Sequence, residues 1–154
     1  MATVYSVQKT KWNQNVPSEK IETTELAGRV RVAFAEYEAA SLAINDVIQM
    51  FNLPNGARIV SGRLAHDALN SSTQLSVGYA AHTSSAGSTV ALDADAYKAA
   101  GSSASASAAN VANTIALGEN SVVDANKDGL PVSITLTGAE ASGTIQLTMF
   151  YVVD

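Results

Sequence analysis

Residues 46–53 (DVIQMFNL), 54–56 (PNG), 57–69 (ARIVSGRLAHDAL) and 73–79 (TQLSVGY) read in order as strand, tight turn, long strand and strand, and 143–154 (GTIQLTMFYVVD) reads as another strand. Thr73, Leu75, Val77 and Tyr79 alternate with Gln74, Ser76 and Gly78, the two-residue period of a half-buried strand. The same period returns at Leu130, Val132, Ile134 and Leu136, and again at Ile145, Leu147, Met149, Tyr151 and Val153. Pro54 fixes one φ and Asn55-Gly56 tolerate positive φ, which is turn chemistry between strands. Gly62, near the middle of the long strand, marks a bend or the close approach of another backbone. Asn70-Ser71-Ser72 turns the chain, and Gly138 to Ser142 is expected as a hairpin loop between the last two strands. Many short alternating segments joined by such turns predict an all-β sandwich.

Upstream, Val30, Val32 and Phe34 share one strand face and Ala35 and Tyr37 the other, a change of parity that predicts a bulge near Phe34. Ala39 to Asn45 reads as a linker or a single helical turn. Val47, Ile48, Met50, Phe51 and Leu53 are apolar on both faces, as in a centrally placed strand. Residues 80–120 form an Ala/Ser-rich insertion. Within it Asp93 to Ala100 has helix formers, acids in the first turn and Gly101 at a C-cap position, so a short helix is expected there. Ser102 to Ala109 (SSASASAA) reads as a flexible surface loop, with Val111, Ile115 and Leu117 packing as the chain returns to the sandwich.

A chain of 154 residues is one domain's worth and can bury a core without staples. Its 47% hydrophobic content includes only 6% aromatic residues, so that core is built from small and medium side chains. Cysteine is absent, which removes disulfides, thiolate metal sites and cysteine nucleophiles together. No apolar run has signal-peptide length or approaches the roughly 20 residues that cross a bilayer. A soluble chain without membrane contact, made without a cleaved export signal, is expected. The net charge is -5, with seven of nine basic residues in the first 63 positions. An acidic body without a basic, aromatic stripe argues against nucleic acid as a partner.

Residues 1–28 are polar, mixed in charge and interrupted by Pro17, and read as an extended arm ahead of a sandwich domain at 29–154. Trp12 lies in this arm. Two placements are open: it folds back onto its own domain, or it anchors the arm on a neighbouring subunit, because Trp is enriched where a large ring is desolvated at an interface.

Motifs for chemistry are thin, and no catalytic, cofactor-binding or metal residues are assigned. Asp124-Ala125-Asn126-Lys127-Asp128-Gly129 matches the opening of a calcium loop, yet Thr135 stands where the bidentate Glu belongs and Pro131 interrupts the following strand, so the stretch reads as an Asx-rich turn. His66 and Asp67 fall on opposite faces of a strand and cannot orient each other, and His82 is placed in a loop. No G-x-S-x-G elbow or glycine-rich phosphate loop occurs. Glu36 and Glu38 share a strand face, where solvated charges on a rim strand are the ordinary reading.

The succession from Asn45 to Leu69, then TQLSVGY, then the terminal GTIQLTMFYVVD resembles the small jelly-roll cement, or head decoration, proteins of tailed bacteriophages. The likeness covers about Leu42 to Tyr79 and Leu130 to Asp154, and the arm before Arg29 fits it. It implies an antiparallel jelly-roll-like sandwich and a virion location on the outer capsid surface after synthesis in the host cytoplasm. It also implies two partners, the major capsid protein and itself as a homotrimer. On that reading Trp12 anchors the arm on a neighbour, while Lys9, Lys11 and Lys20 steer it toward an acidic shell surface. A carbohydrate-binding fibre or adsorption module of sandwich type is the alternative, and it requires an exposed aromatic platform.

Overall fold

A computed structural model describes residues 4–14, 16 and 20–153. One helix, α1 (Val7–Asn13), precedes ten strands: β1 (Val30–Leu42), β2 (Val47–Leu53), β3 (Arg58–His66), β4 (Gln74–Tyr79), β5 (His82–Thr83), β6 (Thr89–Val90), β7 (Asp93–Ser102), β8 (Ser107–Val111), β9 (Leu130–Thr137) and β10 (Ala141–Val152). Two four-stranded sheets have the orders β1-β10-β3-β8 and β2-β9-β4-β7, and β5 pairs only with β6. Every pairing is antiparallel. In the eight-stranded frame only the step from β4 to β7, which carries the β5–β6 ribbon, stays in one sheet; every other step crosses to the facing sheet. This is the connectivity of a jelly roll, the all-β sandwich expected.

Alternation determines what lies between the sheets. Ile59, Leu64, Ile145, Leu147 and Met149 from one sheet meet Leu53, Leu75, Val77, Val132, Ile134 and Leu136 from the other, all essentially inaccessible to water. Gly62 is a point of close approach, since a Cβ there would lie 2.9 Å from the Thr148 carbonyl oxygen and 3.2 Å from Val111 Cβ. The turns act as corners between sheets. Gly138, at φ 89°, is not part of a hairpin loop: β9 and β10 belong to different sheets, and this corner packs on the Asn70–Thr73 corner, where Asn70 Nδ2 donates to the Glu140 carbonyl at 3.1 Å. Pro54 to Gly56 likewise carries the chain from β2 to β3 across the sandwich, held by Gly56 N–H donating to the Val123 carbonyl at 2.9 Å.

Several local expectations are corrected. The register of β1 against β10 is unbroken from Val30 to Ala39, so there is no bulge at Phe34; the irregularity falls between Ala39 and Leu42, inside the stretch expected to be a linker. β2 is an edge strand rather than a central one. Its apolar residues occupy both faces because a register shift between Gln49 and Phe51 switches parity, which lets both Ile48 and Leu53 reach the core. Asp93 to Ser102 is strand β7, not a helix. Pairing with β4 and burial of Tyr97 override alanine's helical preference here. Ser102 to Ala109 is ordered too. Ser103 is fully buried, bonding through its N–H to the Thr73 carbonyl and through Oγ to Thr73 Oγ1 at 3.0 Å, after which β8 joins β3.

Leu147→Ala should cost about 2–5 kcal/mol, as for other large-to-small changes in a core that cannot collapse. Gly78→Ala should cost about 1–3 kcal/mol by overpacking, because its Cβ would fall on the backbone of Asp93 and Ala94. Denaturant midpoints measure both; a Gly78→Ala protein as stable as the parent would show that β4 and β7 are not held this closely.

Candidate functional site

The outward face of the β1-β10-β3-β8 sheet changes character along its strands. Register aligns Val30 with Val152 and Arg58, Val32 with Phe150 and Ser61, Phe34 with Thr148 and Arg63, and Glu36 with Gln146 and Ala65. Ala33 and Ala35 are opposite Met149 and Leu147, so the middle of β1 turns small residues inward while Val32 and Phe34 point outward. Val30, Val32 and Phe34 are 59%, 57% and 58% exposed. They lie on a strand whose second edge has no partner strand among the described residues. An apolar row beside open backbone donors and acceptors is a surface built to be covered. Past Phe34 the face turns acidic: Glu36 accepts from Gln146 Nε2 at 2.6 Å and Glu38 from Thr144 Oγ1 at 2.7 Å.

The arm folds over the end of this face where Arg58 and Val152 lie, and leaves Val30, Val32 and Phe34 exposed. Ser6 Oγ caps α1 by accepting from Lys9 N–H at 3.2 Å, so residues 7–13 are helical where extended chain was expected; the Pro17 break lies outside the described residues. Glu25 ties the arm down, accepting from Lys11 Nζ at 3.2 Å and Gln8 Nε2 at 3.4 Å, with the Arg58 guanidinium 3.8 Å away. The Lys11 and Gln8 hydrogen bonds hold the Glu25 carboxyl below the usual glutamate range. Lys9, Lys11 and Trp12 therefore share one helix, while Lys20 stands apart and exposed. Trp12 remains 56% exposed and borders a shallow hollow with Gln8, Lys9, Ile21 and Leu26. Val4, Tyr5 and Val7 are exposed nearby in sequence. From sequence, Val30, Val32 and Phe34 read as one face of a strand and not as candidate interface residues. The signal was the change of parity at Phe34, which marks two apolar faces on one strand rather than a bulge.

The catalytic and metal motifs resolve into structural roles. His66 Nδ1 lies 2.8 Å from the Asp67 carbonyl oxygen and Nε2 lies 3.1 Å from Ser107 Oγ, whereas the Asp67 carboxylate accepts from Thr144 N–H at 3.2 Å. The carbonyl can only accept, so Nδ1 carries the proton and Ser107 donates to Nε2. His66 and Ser107 hold the open end of the β3–β8 ladder, with Ser107 exposed. His82 is in β5 rather than a loop, with Nδ1 3.1 Å from the Ala80 carbonyl and Nε2 3.2 Å from that of Asp124. In the calcium-like stretch, Asp124 Oδ1 accepts from Ser85 N–H and Oγ, and Asn126 Oδ1 accepts from Asp128 N–H at 2.9 Å, the expected Asx turn. Of the tyrosines, Tyr97 is buried, Tyr79 and Tyr151 are half-buried, and Tyr5 and Tyr37 are exposed, the first on the arm and the second on β1.

No family model and no curated protein matches the chain. Solved structures do. The chain is similar to a chain of the cyanophage Pam1 capsid asymmetric unit, with TM-score 0.61 and 22% identity over 82% of this chain and 86% of that one. It is similar to a chain of the Ralstonia phage GP4 capsid, with TM-score 0.65 and 19% identity over 82% and 86%. A third likeness is to a chain of the acid-stable capsid of Helicobacter pylori bacteriophage KHP30, with TM-score 0.53 and 17% identity over 80% and 87%. The sandwich is thus a fold found in phage capsids.

Because the Glu25 carboxyl titrates lower in the folded chain than when free, its hold on the arm is complete above the ordinary glutamate value of about 4.3 and is lost as pH falls through the lower folded value. Iodide quenching of Trp12, the single tryptophan, should increase over that acid window while far-UV circular dichroism stays that of the sandwich. Glu25→Gln should show the increased quenching already at pH 7.

Proposed function

We propose that this chain is a structural protein of a bacteriophage head. It sits as a homotrimer on the outer surface of the shell and clamps neighbouring major capsid subunits. The observation that carries this reading is the agreement of fold along four-fifths or more of both chains with chains of three phage capsids. Two surface features support it. The arm presents Trp12, Tyr5 and Val7 to solvent, and β1 presents Val30, Val32 and Phe34 beside an open strand edge.

The physical logic is that of a fastener. A shell that contains packed DNA is pushed outward, and a part that spans several subunits resists the strain by adding contact area. Each arm of a trimer then binds at a high effective concentration set by the arms already engaged, so weak contacts combine into firm attachment. Trp12 is the anchor on this reading, with Lys9 and Lys20 steering from exposed positions. Lys11 steers less, because its ammonium is committed to Glu25.

Purified protein should have three times the chain mass on native mass measurement and should co-sediment with undecorated heads. Removing residues 1–20 should reduce occupancy at least about tenfold, as the loss of one aromatic hot spot would by itself, while the sandwich still folds. Trp12→Ala should reproduce most of that loss. A protein that does not sediment with shells, or one whose occupancy ignores the arm, contradicts the proposal.

A further inference from the structure

A second concave site lies at the end of the sandwich where β4, β5, β7 and residues 115–124 meet. It encloses about 440 Å³. Its floor is aromatic. Tyr79 stands edge-on to His82 with centroids 5.3 Å apart and tilted to Tyr97 at 6.1 Å, so its ring is fixed between two others. Tyr97 is 5% exposed, and Gly118 is pressed against its ring: a Cβ at Gly118 would lie 2.8 Å from Tyr97 Cδ1. Neither tyrosyl hydroxyl is used in a hydrogen bond among the described residues, although Tyr97 is buried and lines the cavity. The walls carry two carboxylates. Asp93 lies close enough to both tyrosines to raise the cost of ionising them, after the larger effect of their burial. Asp93 Oδ1 accepts from Asp95 N–H at 3.3 Å and Asp124 Oδ1 accepts from Ser85, so each carboxylate keeps its Oδ2. No lysine or arginine lines the cavity. The rim is aliphatic, with Ile115 88% and Val122 51% exposed.

We propose that this cavity is a socket for an arginine side chain presented, next to an aliphatic residue, by a partner protein. The inference goes beyond the capsid reading and does not require it. Each part of the site matches a part of that ligand. A guanidinium packs against the half-buried Tyr79 ring and donates to a carboxylate oxygen, with N–H donors to spare for a phenolic oxygen. Its methylene stem covers aliphatic surface on the way out, and the neighbouring aliphatic residue meets Ile115 and Val122. Anions are repelled by two carboxylates with no lysine or arginine in the lining. A saccharide would use the carboxylates and hydroxyls but would leave the aliphatic rim wet. A metal ion has no group of three His, Cys, Asp or Glu among the described residues to hold it.

The test is an NMR titration of the isotope-labelled full chain with N-acetyl-arginine methylamide, its neutral citrulline analogue and methyl glycosides in separate arms. Saturable shifts confined to the surroundings of Tyr79, Asp93, Tyr97, Ile115 and Val122 are expected with the arginine compound in the millimolar range that suits one side chain. Citrulline should bind about tenfold more weakly, since the charge-assisted hydrogen bonds are gone. Asp93→Asn should remove binding to a similar extent. Tyr97→Phe, which deletes a hydroxyl with no partner in the fold and so keeps the protein stable, should weaken it measurably. Equal response to citrulline, shifts with glycosides alone, or no saturable shift with arginine overturns the proposal. None of these results bears on shell attachment.

Discussion

The whole arrangement depends on two consecutive strands occupying the interior of opposite sheets. β9 lies between β2 and β4, and β10 between β1 and β3, so alternate side chains of both are buried from two flanks and from the facing layer. Val132, Ile134 and Leu136 face Ile145, Leu147 and Met149 across the core with no exposure at all. Without disulfides, and with few aromatic rings to fill space, this aliphatic layer is what offsets the entropy of ordering the chain. It also makes the fold non-local. Val30 pairs with Val152, so the first sheet is complete only when the end of the chain has been placed, a topology that folds slowly.

That constraint explains the exposed row on β1. The interior place next to the core is taken by β10, which leaves β1 at the rim with only Ala33 and Ala35 turned toward Met149 and Leu147. These two small inward residues let the middle of β1 lie close to the core, and Val30, Val32 and Phe34 are left for the outside. Burying a valine or phenylalanine fully is worth about 1.5–3 kcal/mol, so a row of three more than half exposed holds in reserve a good part of what a modest protein contact needs. The arm shields only one end of the face. Gln8 and Glu25 border Val152 and Val60, while Val30, Val32 and Phe34 remain uncovered beyond them.

Strands with strict alternation were legible in the sequence: β4, β9 and β10 fall where the two-residue period places them. Misreading followed wherever register slips. β2 changes parity between Gln49 and Phe51, which imitates the two apolar faces of a central strand. β7 slips twice against β4, between Leu75 and Val77 and between Val77 and Tyr79, so it has no alternation to read, and its alanines and leading acids resemble a helix instead. The poly-Ser/Ala stretch carries no pattern because its order comes from backbone pairing of β8 with β3 and from Ser103, whose hydroxyl meets Thr73 from a distant turn. Trp12 was legible as an anomaly, a large ring in a polar segment, and the structure leaves it exposed on α1. The rim cavity was not legible, because Tyr79, Asp93, Tyr97 and Ile115 converge only through the jelly-roll crossing.

The charges on the arm divide between two tasks. Lys11 and Arg58 converge on Glu25, a compact cluster in which the carboxylate side chain is 13% exposed. Their positive charge is used to fix α1 over the sheet rather than to attract anything outside. What remains facing water on the arm is mixed: Val4, Tyr5, Val7, Trp12, Val16 and Leu26 stand exposed among polar residues that include Lys9 and Lys20. An attachment made by such a surface gains most from desolvated rings and aliphatic chains, which salt does not screen, and gains from its lysines chiefly in the rate of encounter, which salt does screen. In the proposed attachment, ionic strength therefore acts on how quickly the arm finds its partner far more than on how long it stays, while the ion cluster at Glu25 fixes α1 over the sheet.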